Sequence, residues 1–423
     1  MRVRAGPISG RRRGNAGIMR AYGAPRCAAT LLQRHSMNEF PTLAWTEDGR
    51  PVTARWRSEA GVTPARRVEV VDDTITADEA YHLACGGTAL LYRGDYQNAR
   101  QLMQAMARRI DRPPHRARRK PGAKDAPAPS PADAFHKHRM AQAQRARILG
   151  MVLIPLDADY GIPLRRAPDV REACTQAWGA PDGLACVASL REILGLIGAH
   201  EWRKKGVAIP ALGGATIHPW YGVFSPVRGE YLQLIEQAPL PSTALAFDVG
   251  TGTGVIAALL ARRGVQQVVG TDRDPRALAC ARENMARLGY ERSVKIVDAD
   301  LFPDGKAPLI VCNPPWLPAK ANAPIEHAIY DPESQMLKGF LNGLAEHLSP
   351  GGEGWLVMSD LAEHLGLRTR ETLLSWIHGA GLVVLARHDV RPHHPKATDT
   401  NDPLHAARRA EVTSLWRLGV RPA

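Results

Sequence analysis

Three glycines within five residues, set between an apolar run and a helical pattern, constrain this chain more than any other feature. The run Leu245–Val249 passes into Asp248-Val-Gly250-Thr-Gly252-Thr-Gly254, and a helical pattern follows over 254–263. Glycines at a strand-to-helix junction let the backbone turn sharply and let a ligand approach main-chain atoms. Apolar runs and helical patterns then keep alternating: 267–271, 275–289, 294–297, 308–312, 334–348, 354–358, Arg370–Gly379 and 382–388, with a closing run over 411–418. Strands separated by helices require right-handed crossovers, which predicts an α/β fold with a mainly parallel, doubly wound sheet covered on both faces. With no helix between them, the last two runs are expected to pair as an antiparallel hairpin at the sheet edge.

With 423 residues, 44% of them apolar, the chain can bury a full core and still build a second domain, so disorder throughout is excluded. The six cysteines (Cys27, Cys85, Cys174, Cys186, Cys280, Cys312) are irregularly spaced, without a C-x-x-C pair, so neither a disulfide framework nor a zinc site is expected. A reducing, cytoplasmic setting follows. No apolar stretch reaches the roughly 20 uninterrupted residues of a membrane span. The net charge of +13 is unevenly placed. Basic against acidic residues number 8 and 0 in 1–36, 7 and 10 in 37–107, 12 and 3 in 108–147, 7 and 7 in 148–214, and 21 and 22 in 215–423. The regions able to fold compactly therefore lack the basic balance of a dedicated DNA-binding domain.

The expected organisation has five parts. Residues 1–36 form a basic leader without acids, read as disordered or as preceding a start at Met37; a presequence and an RNA-touching arm are the alternatives. Residues 37–110 form a small accessory domain. Strands are expected at 43–45 and 52–56, a capping box at Thr76-Ala-Asp-Glu79 opens a short helix, and a longer helix spans 98–110. Six prolines mark 111–134 as a linker. Residues 135–214 are a mixed accessory region with helices at 136–149 and 183–197 and a strand at 207–210, which makes the N-terminal part α+β. Residues 215–423 form the catalytic domain.

Asp272, at the end of the second strand, lies 22 positions after Gly250, where a carboxylate reaches the ribose of an adenosine bound across the first two strand ends. Two charge-assisted hydrogen bonds of roughly 1.5–3 kcal/mol each would result. Asp272 could instead cap the following helix, but Asp274, ahead of Pro275, is the better cap. The loop reads G-x-G-x-G behind an acid rather than G-x-G-x-x-G. A carboxylate at Asp248 repels a pyrophosphate and suits the cationic amino-acid end of S-adenosylmethionine. No G-x-x-x-x-G-K-[ST] element occurs, which argues against ATP.

On these residues the sequence resembles the class I S-adenosylmethionine-dependent methyltransferases over about residues 221–418. The resemblance implies a Rossmann-like sheet with S-adenosylmethionine as cofactor. It implies that Asp248, Gly250, Thr251, Gly252 and Gly254 hold the methionine part and Asp272 the ribose. Asp300, with Asp298 second, would take the adenine amino group. Tyr221-Gly-Val-Phe224-Ser-Pro226 matches the family's entry segment, which places Phe224 over the cofactor.

The fourth strand ends in Asn313-Pro314-Pro315-Trp316, an NPPW motif. The nitrogen of an amide or a nucleobase amino group is a poor nucleophile because its lone pair is delocalised. If the Asn313 side-chain oxygen and the Pro314 carbonyl accept its two N–H bonds, the nitrogen is drawn toward a tetrahedral shape with its lone pair aimed at the methyl group. The prolines preorganise these acceptors. Trp316 offers a flat face for a planar acceptor, and Asn313 also borders the cofactor. The plain alternative is a turn with a buried Trp.

The motif and its surroundings resemble the glutamine methyltransferases of translation release factors and ribosomal proteins, with Trp316 where Tyr is usual. The implied function is methyl transfer from S-adenosylmethionine to a planar nitrogen. A glutamine of a translation-related protein is favoured, and a nucleobase amino group, adenine in RNA or DNA, is the alternative. A non-catalytic cofactor-binding scaffold is a second alternative. The partner would be a release factor, a ribosomal protein or a nucleic acid, and not a membrane. No metal is expected: His393-His394 lies in a polar loop, and His218 and His327 lack partners at ligand spacing. Glu326 and Asp331 are read as substrate-orienting or as surface loop, and Cys312 as packing.

Overall fold

The computed structural model describes residues 40–112, 130–227, 229–321, 326, 328–392, 399–400 and 402–422. The leader 1–36, Met37, residues 113–129 of the expected linker, His327 and His393-His394 lie outside the described residues. Phe40–Ala423 form one unit.

The N-terminal part contains β1 (Thr42–Glu47), β2 (Arg50–Arg57), β3 (Arg67–Val71), α1 (Ala77–Cys85), β4 (Thr88–Tyr92), α2 (Tyr96–Ile110), α3 (Pro131–Leu149), β5 (Val152–Leu156), α4 (Arg171–Trp178), β6 (Cys186–Ser189), α5 (Leu190–Lys205), β7 (Val207–Ala208) and β8 (Thr216–Ile217). Six of these strands form one sheet in the order β1-β2-β6-β5-β4-β3. The regions 37–110 and 135–214 are thus not separate bodies, since β5 and β6 from the second are inserted among strands of the first. Two further corrections apply here. Residues 131–134, read as linker, begin α3, because the Ser130 side chain accepts from Asp133 N at 3.1 Å and Pro131 suits a first turn. The stretch 183–197 is not one helix: Cys186–Ser189 is a fully buried strand before α5. Periodicity cannot separate a short apolar strand from helix.

The C-terminal part continues with α6 (Glu230–Gln237), β9 (Leu245–Val249), α7 (Val255–Arg262), β10 (Gln267–Asp272), α8 (Pro275–Leu288), β11 (Val294–Asp298), β12 (Ala307–Cys312), α9 (Gln335–His347), β13 (Leu348–Ser359), α10 (Leu361–His364), α11 (Arg370–Gly379), β14 (Leu382–Val390), α12 (His405–Ala410) and β15 (Thr413–Val420). The sheet order is β11-β10-β9-β12-β13-β15-β14, parallel except for β15, which is antiparallel to both β13 and β14. The expected edge hairpin is present, but the short α12 interrupts its connection. Both faces are covered. Ala246, Leu309, Val311, Trp355 and Val357 pack toward α7 and α8, whereas Phe247, Ile310, Cys312, Leu356 and Met358 pack toward α9 and α11. Cys312 is core, as expected.

Chain order reverses between β9 and β12, so a crevice opens at their carboxyl ends, where open α/β sheets bind ligands. The N-terminal sheet is tied to this half through α8. One Arg276 nitrogen donates to Glu59 Oε2 and to the Ala177 carbonyl, each at 2.8 Å, and Arg203 of α5 meets Glu283 at 2.7 Å. Arg276→Ala should therefore lower the urea midpoint by the equivalent of about 1–3 kcal/mol, with partial recovery in Arg276→Lys. An unchanged midpoint would show that the tie is dispensable.

Candidate active site

Alternation along β9 puts Asp248 on the same face as Ala246, against the start of α7, and its side chain is fully buried. Oδ2 accepts from Thr251 Oγ1 at 2.6 Å and from Ala257 N at 3.0 Å, which stitches strand, loop and helix together. Oδ1 is buried without a partner. Burial pushes the carboxyl up to about 7. The loop above it is left-handed at Gly250 (φ 72°), Gly252 (φ 54°) and Gly254 (φ 81°). At Gly254 the left-handed φ disfavours a side chain, and a Cβ would also press on Met285 Cε at 2.8 Å and Ala281 Cβ at 3.3 Å, where α7 starts against α8.

Asp272 ends β10 beside this loop. Its Oδ2 accepts from Gly252 N at 3.0 Å, and Oδ1 accepts from Arg273 N at 2.8 Å and Asp274 N at 3.0 Å. Three of about four acceptor positions of a carboxylate are thereby used, which locks its direction toward the crevice. Burial raises its carboxyl above the usual range against the lowering by these bonds. Capping of α8 falls to Asp274, which accepts from Arg276 N at 2.8 Å, with Pro275 in the first turn.

The structure does not bring Asp300 into this site. Its side chain is 70% exposed and paired with Arg273 at 3.3 Å, and Asp298 is exposed as well. Phe224 is half-buried and lines the crevice beside Val223.

Asn313 to Trp316 leave the end of β12 next to the glycine loop. The Trp316 Nε1–H donates to Asn313 Oδ1 at 2.9 Å. This bond fixes the orientation of the amide, and the second lone pair of Oδ1 remains for another donor. The segment after the motif is zipped to the turn: Leu317 N donates to the Ile329 carbonyl at 3.1 Å and Asp331 N to the Leu317 carbonyl at 2.8 Å. Asp331 accepts from Met336 N and Leu337 N, both at 3.1 Å, so it anchors the start of α9 and does not orient substrate. Beneath lies Arg368, buried, with weak bonds to Ser334 Oγ at 3.4 Å and the Trp316 carbonyl at 3.5 Å. Burial lowers its basicity.

Gly250–Thr253, Asp272, Phe224 and Asn313–Trp316 all line one cavity of about 910 Å³. Sequence reasoning missed three contributors. Met336 from α9 reaches over the loop, since a Cβ on Gly250 would lie 2.5 Å from its Cε. Arg368 supports the motif from a segment without any motif of its own. The N-terminal sheet and α3 supply another wall, including Trp56, Phe135 and Leu153. Nothing in the sequence pattern marks these residues.

Residues 222–370 match the family model described as "Methyltransferase small domain". The release factor glutamine methyltransferase of Mycolicibacterium smegmatis is 34% identical over 212 residues, covering 45% of this chain and 73% of that protein. The chain belongs to the class I S-adenosylmethionine-dependent methyltransferases. The release factor glutamine methyltransferase of Cereibacter sphaeroides is 33% identical over 183 residues, 38% of this chain and 65% of that relative. Among solved structures, the ribosomal protein L11 methylase of Lactobacillus delbrueckii aligns over 49% of this chain and 87% of its own, with 18% identity and a TM-score of 0.34.

The methyltransferase cofactor fits what is present: Gly250, Thr251 and Gly252 line the cavity beside Asp272, which has one acceptor position left for a hydroxyl, whereas Asp248 and Gly254 are not part of the lining and instead hold the loop in shape from behind. Without a ligand, the Asp248 carboxyl is protonated in the folded protein and ionised in the unfolded chain between about pH 4 and 7. Stability from this group is present below about pH 4 and is lost as pH rises to about 7. Asp248→Asn keeps the two bonds made by Oδ2 and should raise ligand-free stability at pH 8 by up to about 4 kcal/mol, with no gain at pH 4. Thermal denaturation across this range checks it; an equal effect at both pH values would contradict the assignment.

Proposed function

We propose that this methyltransferase modifies the side-chain nitrogen of a glutamine in a translation release factor, in the cytoplasm. The observation that carries the reading is the oriented Asn313 amide, held by Trp316 at 2.9 Å at the end of β12 and opening into the same cavity as Asp272 and the glycine loop. The identity shared with release factor glutamine methyltransferases supports the choice of acceptor.

When bound, S-adenosylmethionine supplies an electrophilic methyl group on a sulfonium. Asp248, Gly250, Thr251, Gly252 and Gly254 would hold its amino-acid end, Asp272 its ribose, and Phe224 would cover it. Asp300 would join them only by leaving Arg273. Asn313 Oδ1 and the Pro314 carbonyl accept the two N–H bonds of the acceptor amide, which weakens the delocalisation of its lone pair. Pro314 and Pro315 hold those acceptors in place before the substrate arrives, so little reorganisation remains for the reaction itself. Trp316 keeps the Asn313 oxygen turned inward and closes the side of the turn. The proton released after transfer passes to water without a strong base, because the methylated nitrogen is acidic until it returns to planarity.

Two variants separate binding from chemistry. Asn313→Ala should reduce kcat at least about 100-fold while S-adenosylhomocysteine still binds in calorimetry; retained turnover would remove the lone-pair argument. Asp272→Ala should weaken that binding at least about tenfold without unfolding the protein. The acceptor is tested by incubating unmodified release factor with the tritium-labelled cofactor. Label in the factor that protease releases and nuclease does not is expected, and an unlabelled factor would overturn the assignment.

A further inference from the structure

The N-terminal sheet has no role in the chemistry described so far, yet it and α3 supply much of the cavity wall. In α3, Phe135, His138, Arg139, Gln142, Ala143 and Arg147 line the cavity at helical i, i+3, i+4 spacing. A helix face that packs against a core is apolar, whereas after Phe135 this stripe is polar or small, and Ala143 is exposed. Space therefore stands in front of the helix, edged by hydrogen-bonding side chains.

The helix borders the reaction turn directly. Phe135 packs in one apolar cluster with Leu317, Leu361 and Leu404. Arg139 donates to the Lys320 carbonyl at 2.7 Å, approaches Glu326 at 3.6 Å and lies over the Tyr330 ring at 3.9 Å. These three contacts pin the segment that follows Trp316 to α3. The nucleotide-facing groups sit instead at the ends of β9 and β10, so α3 lies on the side left for the acceptor.

Cavity size restricts what can enter. An α-helix is about 10–12 Å across, so a 10 Å length of it fills roughly 800–1,100 Å³. That is comparable to the cavity of about 910 Å³, which the acceptor has to share with the cofactor, so a thinner extended segment fits better. The lining sets Glu192, Asp272, Asp274 and Glu326 against Arg139, Arg147, Arg191 and Arg408, so it offers no strip of one sign for a phosphate chain to follow.

We propose that α3, with Ala143 and Gln142 facing the cavity and Arg139 securing its mouth, forms the acceptor-binding wall and admits an extended peptide loop presenting one side chain to Asn313. This rests on the proposed function for the nature of the acceptor, and places its recognition in the accessory sheet.

Ala143→Trp fills the space in front of α3 without touching the core. Ala141→Trp, on an exposed position outside the lining, is the control. Transfer of tritiated methyl is measured with purified release factor and, separately, with the macromolecules of a cell extract. The expected result is at least a tenfold loss of kcat/KM in Ala143→Trp only, with S-adenosylhomocysteine affinity within twofold of the unsubstituted protein in both variants. Full transfer by Ala143→Trp overturns the wall. Should extract proteins but not the release factor be labelled, and the label be lost in Ala143→Trp, the wall stands and the release-factor assignment falls. Label released by nuclease, or no label from the unsubstituted enzyme, overturns both.

Discussion

A carboxylate removed from water and left with one unbonded oxygen is the constraint around which the catalytic half is organised. Asp248 bonds Thr251 and Ala257 through Oδ2, so a single side chain holds the end of β9, the left-handed loop and the first turn of α7 in one arrangement. The other oxygen has nothing to bind inside the protein. Burial of such a group costs stability unless it is neutralised, and the folded protein meets that cost by holding the proton up to about pH 7. Under the proposed function, a cationic ligand at the loop would take over that neutralisation.

The reaction turn shows the opposite strategy, since the direction of its acceptors is set before any substrate is present. Trp316 fixes the Asn313 oxygen, the prolines stiffen the chain, Leu317 and Asp331 zip the following segment, and Arg368 supports the turn from below. Preorganised acceptors do not have to be ordered during the reaction. Two elements of different character meet at the carboxyl ends of β9 and β12, one poised to change charge and the other rigid. The reversal of chain order between those strands brings them together.

Much of the catalytic half could be read in the sequence because its signals are local. The glycine loop, the Asp274-Pro275 cap and the alternation of runs from residue 245 depend on neighbours within a turn or two. Asp300 was misleading for a tertiary reason, as the chain leaving β11 turns its carboxylate to the surface, where Arg273 pairs with it. The N-terminal half was harder. Strands β3 to β6 are short apolar runs of four or five residues, and a sheet that interleaves 42–57, 67–92 and 152–189 is assembled from distant pairings. No local pattern records that β2 lies beside β6, or that α3 will meet the loop after Trp316. Trp316 was read as a stacking surface, and the structure adds a use the sequence did not show, its N–H orienting Asn313.

The most direct measurement is a crystal structure of the protein with S-adenosylhomocysteine. The account predicts the amino-acid end over the glycine loop above Asp248, the ribose hydroxyls toward Asp272, and the sulfur beside the Pro314 carbonyl and an Asn313 oxygen still facing the cavity. A ligand seated elsewhere, or an Asn313 amide turned with its nitrogen toward the sulfur, would contradict it.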